Sequence, residues 1–563
     1  MNNADIAEHF SLLAQLLDIN GENPFKSKTY SIAAYHIEKL EFPLAQTNRN
    51  EIASIRGLGP AVAAKIGELL DTGSMLALQE MLEATPEGVR EMLRIKGLGP
   101  KKIHTVWKEM GIQSIGELEY ACNENRLTRY KGFGAKTQAN ILESIQFYNH
   151  HRGHFLYAQI EAVFPSIYQY LHQLFGKENV LPAGDYRRQQ ITLQELAFVV
   201  NKKPADIKQK FQTAYPPELL EETADSLLYQ LTNGLKLRLY TQPANIFYKQ
   251  FLTSSGDSFL AAFFEGQDKF RFESQSFHSE EQIFEEAGIP FIPPCLRETE
   301  KIISQAKKGQ LPRLIQVSDI KGIIHNHSNW SDGVNTIEEL ATELIRNGFE
   351  YLVMSDHSQT AAYANGLSPQ KIKEQHIYID QLNKKLAPFK IFKSIESDIL
   401  NDGSLDYSDE ILKTFDLVIA SVHSNLYMNE DKAMQRLMKA IENPYTTILG
   451  HPTGRLLLSR NGYPLDHQKI IDACALHKVV IEINANPHRL DLDWQWINYA
   501  IEKGVLLSIN PDAHSIEGLS DIKYGVLASQ KGGLSPESNL SSLDLAGFEA
   551  YLQDIKASKL ALL

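Results

Sequence analysis

The sequence predicts a multidomain protein of mixed α+β and α/β class. It reads as a helical N-terminal arm, a mixed middle region and a C-terminal α/β barrel. Three observations carry this prediction. A glycine-centred motif recurs in the first 150 residues, the apolar pattern changes near residue 155, and short apolar strands alternate with helices from Ile315 onward. The chain has 563 residues, enough for several domains of roughly 100–200 residues each.

Hydrophobic content of 43% and charged content of 22% place the chain among ordinary soluble globular proteins rather than disordered ones. A net charge of −13 excludes sequence-blind coating of DNA by a basic field, although local loops can still grip a backbone. Cys122, Cys295 and Cys474 lie far apart with no CxxC pair, which fits a reducing compartment and excludes a thiolate zinc knuckle. The start, MNNADIAEHFSLLAQLLDI, lacks the basic and apolar segments of a signal peptide. No run of about 18 apolar residues is present, so no membrane span is expected and the cytoplasm is the expected location.

The arm reads as helical because Ile6, Phe10, Leu13 and Leu17 recur at three and four residues. The repeat appears as IRGLGPAVAAKI from Ile55, IKGLGPKKIHTV from Ile95 and YKGFGAKTQANI from Tyr130. A solenoid would repeat the whole unit; here only the glycine frame recurs, which fits paired helices around glycine hairpins. Gly57 and Gly59 permit a tight turn with exposed backbone N–H groups, and Pro60 is a favoured first helical residue. The following helix presents free donors and positive dipole to a phosphate. Gly97 and Gly99, backed by Lys101 and Lys102, repeat the arrangement, as do Gly132 and Gly134 between Lys131 and Lys136. A single glycine hairpin is more often a helix cap; the shared frame of the copies favours DNA-backbone contact. The third copy, with Gln138 where a small residue is usual, is the one closest to a purely structural reading.

In the middle region ITLQELAFVV (Ile191 to Val200) and GLKLRLYTQP (Gly234 to Pro243) read as strands, and the prolines of FIPPCLRE force a turn. A connector, Ala306 to Arg313, leads into the last region.

From Ile315 the strands IKGIIHNH, YLVMSDH, FKIFKSIES, DLVIASVH, TTILGHP, VVIEINA and VLLSINPDAH alternate with helices, the pattern of a closed α/β barrel. Nearly every strand ends on a metal-ligand side chain. His325 and His327 close the first, followed by Asp332; then come His357, Glu396, His423, His451, Asp512 and His514. H-x-H and D-x-H put both residues on one face of a strand, and strand C-termini converge on one mouth of a barrel. Nitrogen and oxygen donors without sulfur suit zinc, manganese or iron, and so many ligands can hold two or three divalent ions. One histidine alone would more often be a core or surface residue, but strand-end recurrence argues against that for the set. His376, His467, His477 and His488 lie elsewhere and are read as ordinary.

The motifs HNHSNWSDG, SDHS, IESDIL, ASVHS, GHPTGR, EINA and DAHS resemble those of the polymerase-and-histidinol-phosphatase (PHP) metal phosphoesterases. The resemblance implies a distorted (β/α) barrel with three ions. One is implied on His325, His327, Glu396 and Asp512, a second on Glu396, His423 and His451, and a third on Asp332, His357 and His514. Glu396, Asp512 and His325 would lead catalysis, and Arg455 would hold a substrate phosphate. The glycine repeats resemble helix-hairpin-helix motifs, and the whole order resembles a bacterial family X DNA polymerase with a C-terminal PHP domain. That implies helical domains at 1–80 and 81–152, a nucleotidyltransferase-like palm at 153–242, a thumb and connector at 243–313 and a PHP domain at 314–563. GDYRR (Gly184 to Arg188) sits where the family has G-S-x-R-R, with Asp185 in place of the serine, and Thr253-Ser254-Ser255-Gly256 replaces T-G-S. The palm's three metal-binding aspartates fall on Glu195, Ala197 and Arg238, so polymerase chemistry is expected to be lost. The expected function is 3′–5′ exonuclease action on DNA in repair. The alternatives are a working family X polymerase and a small-molecule phosphatase of the histidinol-phosphatase type.

Overall fold

The computed structural model describes every residue except 124–126, 152, 212–215, 232–233, 243–244, 427, 459–460 and 561–563. Arg152, the expected end of the arm, and Pro243, the expected start of the thumb, lie outside the described residues. The chain divides into two compact units, Met1–Arg152 and Gly153–Leu563.

In the first unit, helix α1 (Asn3–Asn20) opens on a capping box: Asn2 Oδ1 accepts from the Asp5 N–H and the Asp5 carboxylate accepts from the Asn2 N–H. Its buried stripe of Ile6, Phe10, Leu13 and Leu17 belongs to a single core running from Ile6 to Ile145. Helices α2 (Pro60–Thr72), α3 (Pro100–His104) and α4 (Ala135–His151) each start directly after the second glycine of a repeat. Between the paired glycines, Leu58, Leu98 and Phe133 are buried in that same core. The repeat therefore encodes one apolar anchor flanked by two surface glycines, and all copies share one core instead of stacking as a solenoid.

After a short strand (Phe155–Leu156) and a helix (Tyr157–Phe175), the second unit forms a five-stranded sheet, where the sequence reading expects the palm. Its strands are β1 (Val180–Ala183), β2 (Glu195–Val200), β3 (Glu218–Glu222), β4 (Ser226–Gln230) and β5 (Lys236–Thr241), in the order β1-β2-β5-β4-β3. β2 and β5 run parallel, with Ala197 opposite Arg238. The fully exposed edge strand β3 and its neighbour β4 are absent from the sequence reading, because Glu-Leu-Leu-Glu-Glu carries no alternation. A helical segment follows, packed around Phe251, Phe259, Phe263 and Phe284, with the buried Arg297 guanidinium over the Phe284 ring.

In the last region every strand pair is parallel. β6 (Gly322–Ile323), β7 (Tyr351–Met354) and β8 (Lys390–Lys393) form one sheet. β9 (Glu396–Asp398), β10 (Val418–Ser421), β11 (Thr446–Leu449), β12 (Val480–Asn484) and β13 (Leu507–Asn510) form the other. The sequence reading expects one continuous closed ladder. Instead, the chain changes neighbours between Lys393 and Glu396, and the bridges between the two sheets among the described residues are the single parallel ones of His357 to Glu396 and Asn326 to Ala513. Glu396 accordingly begins a strand segment rather than ending one. Apolar residues cover both faces of these strands, so they read as continuous apolar runs.

Candidate metal centre

Five of the eight strands of the last region are followed within three positions by a candidate ligand: His325 after β6, His357 after β7, His423 after β10, His451 after β11 and Asp512 after β13. His325, His451 and Asp512 adopt left-handed backbone, with φ of 59°, 22° and 53°. Such conformations cost on the order of 1–3 kcal/mol each and persist where the surroundings fix them.

All nine residues singled out in the sequence come together at one mouth. Four groups have ligand atoms within 4.8 Å of one another: His327, Asp332, His357 and His514; His325, His327 and Asp512; His325, Glu396 and His451; and His357, Glu396 and His423. Glu396 is the hub. Its Oε1 lies 3.1 Å from His325 Nε2, 3.1 Å from His423 Nε2 and 3.0 Å from His451 Nε2, and its Oε2 lies 3.0 Å from His357 Nδ1. The grouping differs from the implied one in detail. His423 and His451 reach Glu396 from separate clusters, because His423 Nδ1 is anchored on Asp398 and the amide of His451 on Glu482. Asp332 and His514 form the exposed rim, at 31% and 42% side-chain exposure, while Glu396 is buried.

The electrostatics favour cations. Burial opposes ionisation of Glu396, but His423, His325 and His357 hold its carboxyl well below the usual range. Asp512 is likewise held well below, against its burial, by His325 and His327. Against their burial, Glu396 and Asp398 push His423 up to about 10, and Asp332 and Asp512 push His514 to about 9. Burial together with neighbouring His357 and His514 brings His327 down to about 3. Glu396 Oε2 and His325 Nε2 are buried without a hydrogen-bond partner. Ionised carboxylates and orphaned ring nitrogens in one cluster fit divalent metal ions.

Arg455 does not point into this centre. Its Nε donates to the Arg489 carbonyl at 2.9 Å, one terminal nitrogen bonds Asp493 at 2.5 Å, and the other bonds the Leu490 carbonyl. In this arrangement its guanidinium fastens the 489–493 loop rather than facing the mouth. The guanidinium beside the centre belongs to Arg489, whose Nε lies 3.7 Å from Asp512 Oδ2. Sequence reasoning passes over Arg489, although it sits seven residues beyond Glu482 on the loop after β12.

The palm positions contrast with this cluster. Arg238 Nε donates to Glu195 at 2.7 Å, and its NH1 lies 3.2 Å from Glu221. Ala197 is buried beside Ala183, Val199 and Ile246. Arg187 makes paired bonds to Glu280 at 2.7 and 2.6 Å, and Arg188 pairs with Glu298, which also takes Lys531. Among the described residues, the palm contains no metal-sized group of ligands.

In the arm, Gly57, Gly97 and Gly132 take φ of 85°, 82° and 91°, and Gly59 and Gly99 cap α2 and α3 in extended backbone. A Cβ at Gly59, Gly97, Gly99, Gly132 or Gly134 would meet nothing within 4 Å, so these turns are open to a ligand; one at Gly57 would strike the His36 ring. Lys102 donates to the Gly97 carbonyl at 3.0 Å and lies over Phe133, joining the second hairpin to the third.

Residues 1–75 match the model of a helix-hairpin-helix domain, and residues 89–146 that of a SAM-like helix-hairpin-helix tandem. A DNA polymerase/3′-5′ exonuclease PolX of Bacillus subtilis (strain 168) is 32% identical over 98% of this chain and 100% of its own length. A probable phosphatase of Thermoanaerobacter sp. (strain X514) is 26% identical over 41% of this chain and 94% of its own length. Another, from Caldanaerobacter subterraneus subsp. tengcongensis, is 31% identical over 28% of this chain and 60% of its own. No helix among the described residues is long and apolar enough to cross a membrane. Full-length similarity, the helix-hairpin-helix matches in the arm and the phosphatase relatives together show that the chain belongs to the bacterial family X DNA polymerases that carry a C-terminal PHP domain.

Proposed function

We propose that this chain is a metal-dependent DNA phosphodiesterase that removes nucleotides from 3′ ends, with its polymerase palm retained as a scaffold. The observation that carries the reading is the clustering of nine histidine and carboxylate side chains, with His325, His357, His423 and His451 converging on the buried Glu396. His325, His327, Asp332, His357, Glu396, His423, His451, Asp512 and His514 would hold two or three divalent ions, with manganese and zinc the best matches to the donor set. Bound ions of this kind supply Lewis acidity toward the phosphodiester and toward the attacking water. Arg489 orients a phosphate oxygen at the mouth, and the loop held by Arg455 keeps it there. The exposed rim of Asp332 and His514 leaves room for the strand end to enter. The 3′–5′ polarity is taken from the Bacillus subtilis relative, a polymerase/3′-5′ exonuclease by name. DNA repair is the setting that the family resemblance implies.

The palm is read as inactive because Arg238 pairs with Glu195, the one carboxylate among the three expected metal positions, and Ala197 offers no ligand. The two arginines of GDYRR are engaged with Glu280 and Glu298. A small-molecule phosphatase is the second reading, favoured by the phosphatase relatives of the C-terminal region. It leaves the hairpins Gly57–Gly59, Gly97–Gly99 with Lys101 and Lys102, and Gly132–Gly134 without a use; on the first reading they hold DNA backbone.

The test is degradation of a 5′-labelled duplex with manganese by the wild type and by His325→Ala, Glu396→Ala and Asp512→Ala. Loss of stepwise shortening in all three is the expected result, with Glu396→Ala among the most severe. Wild-type rates in all three would refute the reading, and cleavage of small phosphate esters without any action on DNA would favour the second.

A further inference from the structure

The strand β12 motif Glu-Ile-Asn places two polar side chains, Glu482 and Asn484, on the inward face at period two. Neither belongs to any of the ligand clusters. Glu482 is fully buried, and four N–H groups converge on it. Its Oε1 accepts from His325 Nδ1 at 2.5 Å and from Asn510 Nδ2 at 2.8 Å. Its Oε2 accepts from the His451 backbone N–H at 2.6 Å and from Asn484 Nδ2 at 3.3 Å. With both oxygens occupied from the back of the site, Glu482 has no free lone-pair direction for an ion.

We propose that Glu482 is a positioning residue of the metal centre: it fixes the tautomer of His325 and the backbone of His451, and so presents both rings to the ions beside Glu396. The inference rests on the metal-centre reading above. A carboxylate oxygen facing Nδ1 takes a hydrogen bond from it, so a neutral His325 ring in this position carries its proton on Nδ1 and turns its Nε2 lone pair toward the ions. Nε2 is the atom that lies 3.1 Å from Glu396 and 3.5 Å from Asp512. The bond from the His451 amide holds that residue at its unusual φ of 22° and puts its Nε2 3.0 Å from Glu396. One carboxylate thereby sets both rings that face Glu396 Oε1 in this group. Asp398 does the same for a third ring, accepting from His423 Nδ1 while Thr360 Oγ1 donates to it at 2.8 Å. His327 Nδ1 and His451 Nδ1 have no such partner, so the backing is selective. Outer carboxylates of this type raise ligand basicity and lock ring orientation.

Glu482→Gln discriminates sharply. An amide must turn its NH2 group toward one of the two pairs of donors. The backbone N–H of His451 cannot invert, whereas the His325 ring can exchange tautomers. The amide introduced by the substitution would therefore face His325 with its NH2, move the ring proton to Nε2 and remove that lone pair from the metal. The experiment is manganese titration by calorimetry of metal-stripped full-length chain, with metal content after dialysis and far-ultraviolet circular dichroism as companions. The expected result is a loss of at least one ion or affinity weaker by about 10–100-fold, with the spectrum of the wild type retained. Asp398→Asn, which touches no backbone amide of a ligand, is expected to weaken binding in the same direction and decides the matter if Glu482→Gln does not fold. Wild-type stoichiometry and affinity in the folded variants would overturn the inference while leaving the nuclease reading intact. Absence of manganese binding by the wild type itself would overturn both.

Discussion

Arg238 faces Glu195 across the parallel pair β2–β5 with 2.7 Å between Nε and Oε1. A site for two divalent ions needs anionic ligands holding them about 3.5–4 Å apart. Here Glu195, the one carboxylate among the three expected metal positions, is already paired with Arg238, and like unit charges at about 4 Å repel by about 4 kcal/mol at an effective dielectric near 20. Primer extension by an Asp512→Ala chain, in which degradation cannot mask synthesis, is expected to add no nucleotide with magnesium or manganese. Arg238→Ala should not restore it, because buried Ala197 still supplies no ligand. Metal-dependent addition of even one nucleotide, lost in Glu195→Ala, would show that the palm still works.

Protons and metal compete for the centre. Against an ordinary value near 6.5, His423 is raised to about 10 and His514 to about 9. Both rings are therefore cations at neutral pH in the metal-free chain, where they stabilise the folded state through Glu396, Asp398, Asp332 and Asp512. A raised pKa gives stability that is fully present below about 6.5 and is lost as pH climbs through the folded value. The melting temperature of the stripped protein should fall between pH 6.5 and 10, while manganese affinity should rise over the same span. Calorimetry in buffers of different ionisation enthalpy should register proton release on binding. An affinity independent of pH across that window would contradict the assignment of these rings as ligands.

The clustered side chains are legible in the sequence because a parallel strand in this fold ends at the mouth, so His325, His357, His423, His451 and Asp512 announce themselves by position. Asp332 and His514 are legible through the motifs that carry them. Their partners are harder to see. The sequence reading picks out Arg455 and passes over Arg489, and what separates them is the direction of the Arg455 guanidinium toward the 489–493 carbonyls. Glu482 and Asp398 look like ligands or like nothing, since their role lies in which nitrogen of a neighbouring ring they face. The edge strand Glu218–Glu222 escaped because exposure on both faces leaves no apolar period to detect.

The hairpins offer a cleaner test at their second glycines than at their first. Gly97 has φ of 82°, where a branched residue is strained, and a side chain at Gly57 would collide with His36. Gly99 has φ of −76° and ψ of 167°, with nothing within 4 Å of an added Cβ. Gly99→Val should therefore fold, at a helix-cap cost of about 1 kcal/mol or less, yet block close approach of a phosphate. Loss of one hydrogen bond to a charged group, about 1.5–3 kcal/mol, corresponds to at least about tenfold weaker DNA binding. The loss should be the same for every sequence, since only backbone is held. Fluorescence anisotropy on two unrelated duplexes measures this; unchanged affinity would leave the second hairpin structural.

Arg489 and Arg455 can be separated by a double-mutant cycle. Arg489, 3.7 Å from Asp512, is placed to meet a phosphate oxygen, whereas Arg455 reaches only the loop that carries it. Arg489→Ala should remove a charge-assisted contact of about 1.5–3 kcal/mol, lowering kcat/KM on DNA by roughly 10–150-fold. Arg455→Ala should lower it less, because Arg489 then samples other positions without being deleted. Metal content should be unchanged in both, since neither arginine is a ligand. If Arg455 acts solely through Arg489, the double variant should resemble Arg489→Ala alone, with a coupling energy equal to the whole effect of Arg455→Ala. Additive losses would instead mean that Arg455 leaves its bonds to Leu490 and Asp493 and touches substrate directly. A further distinction lies in the conservative variants. Arg489→Lys keeps the charge but not the planar fork, so partial recovery is expected there. Arg455→Lys cannot reproduce three divergent bonds to two carbonyls and a carboxylate, so little recovery is expected at that position.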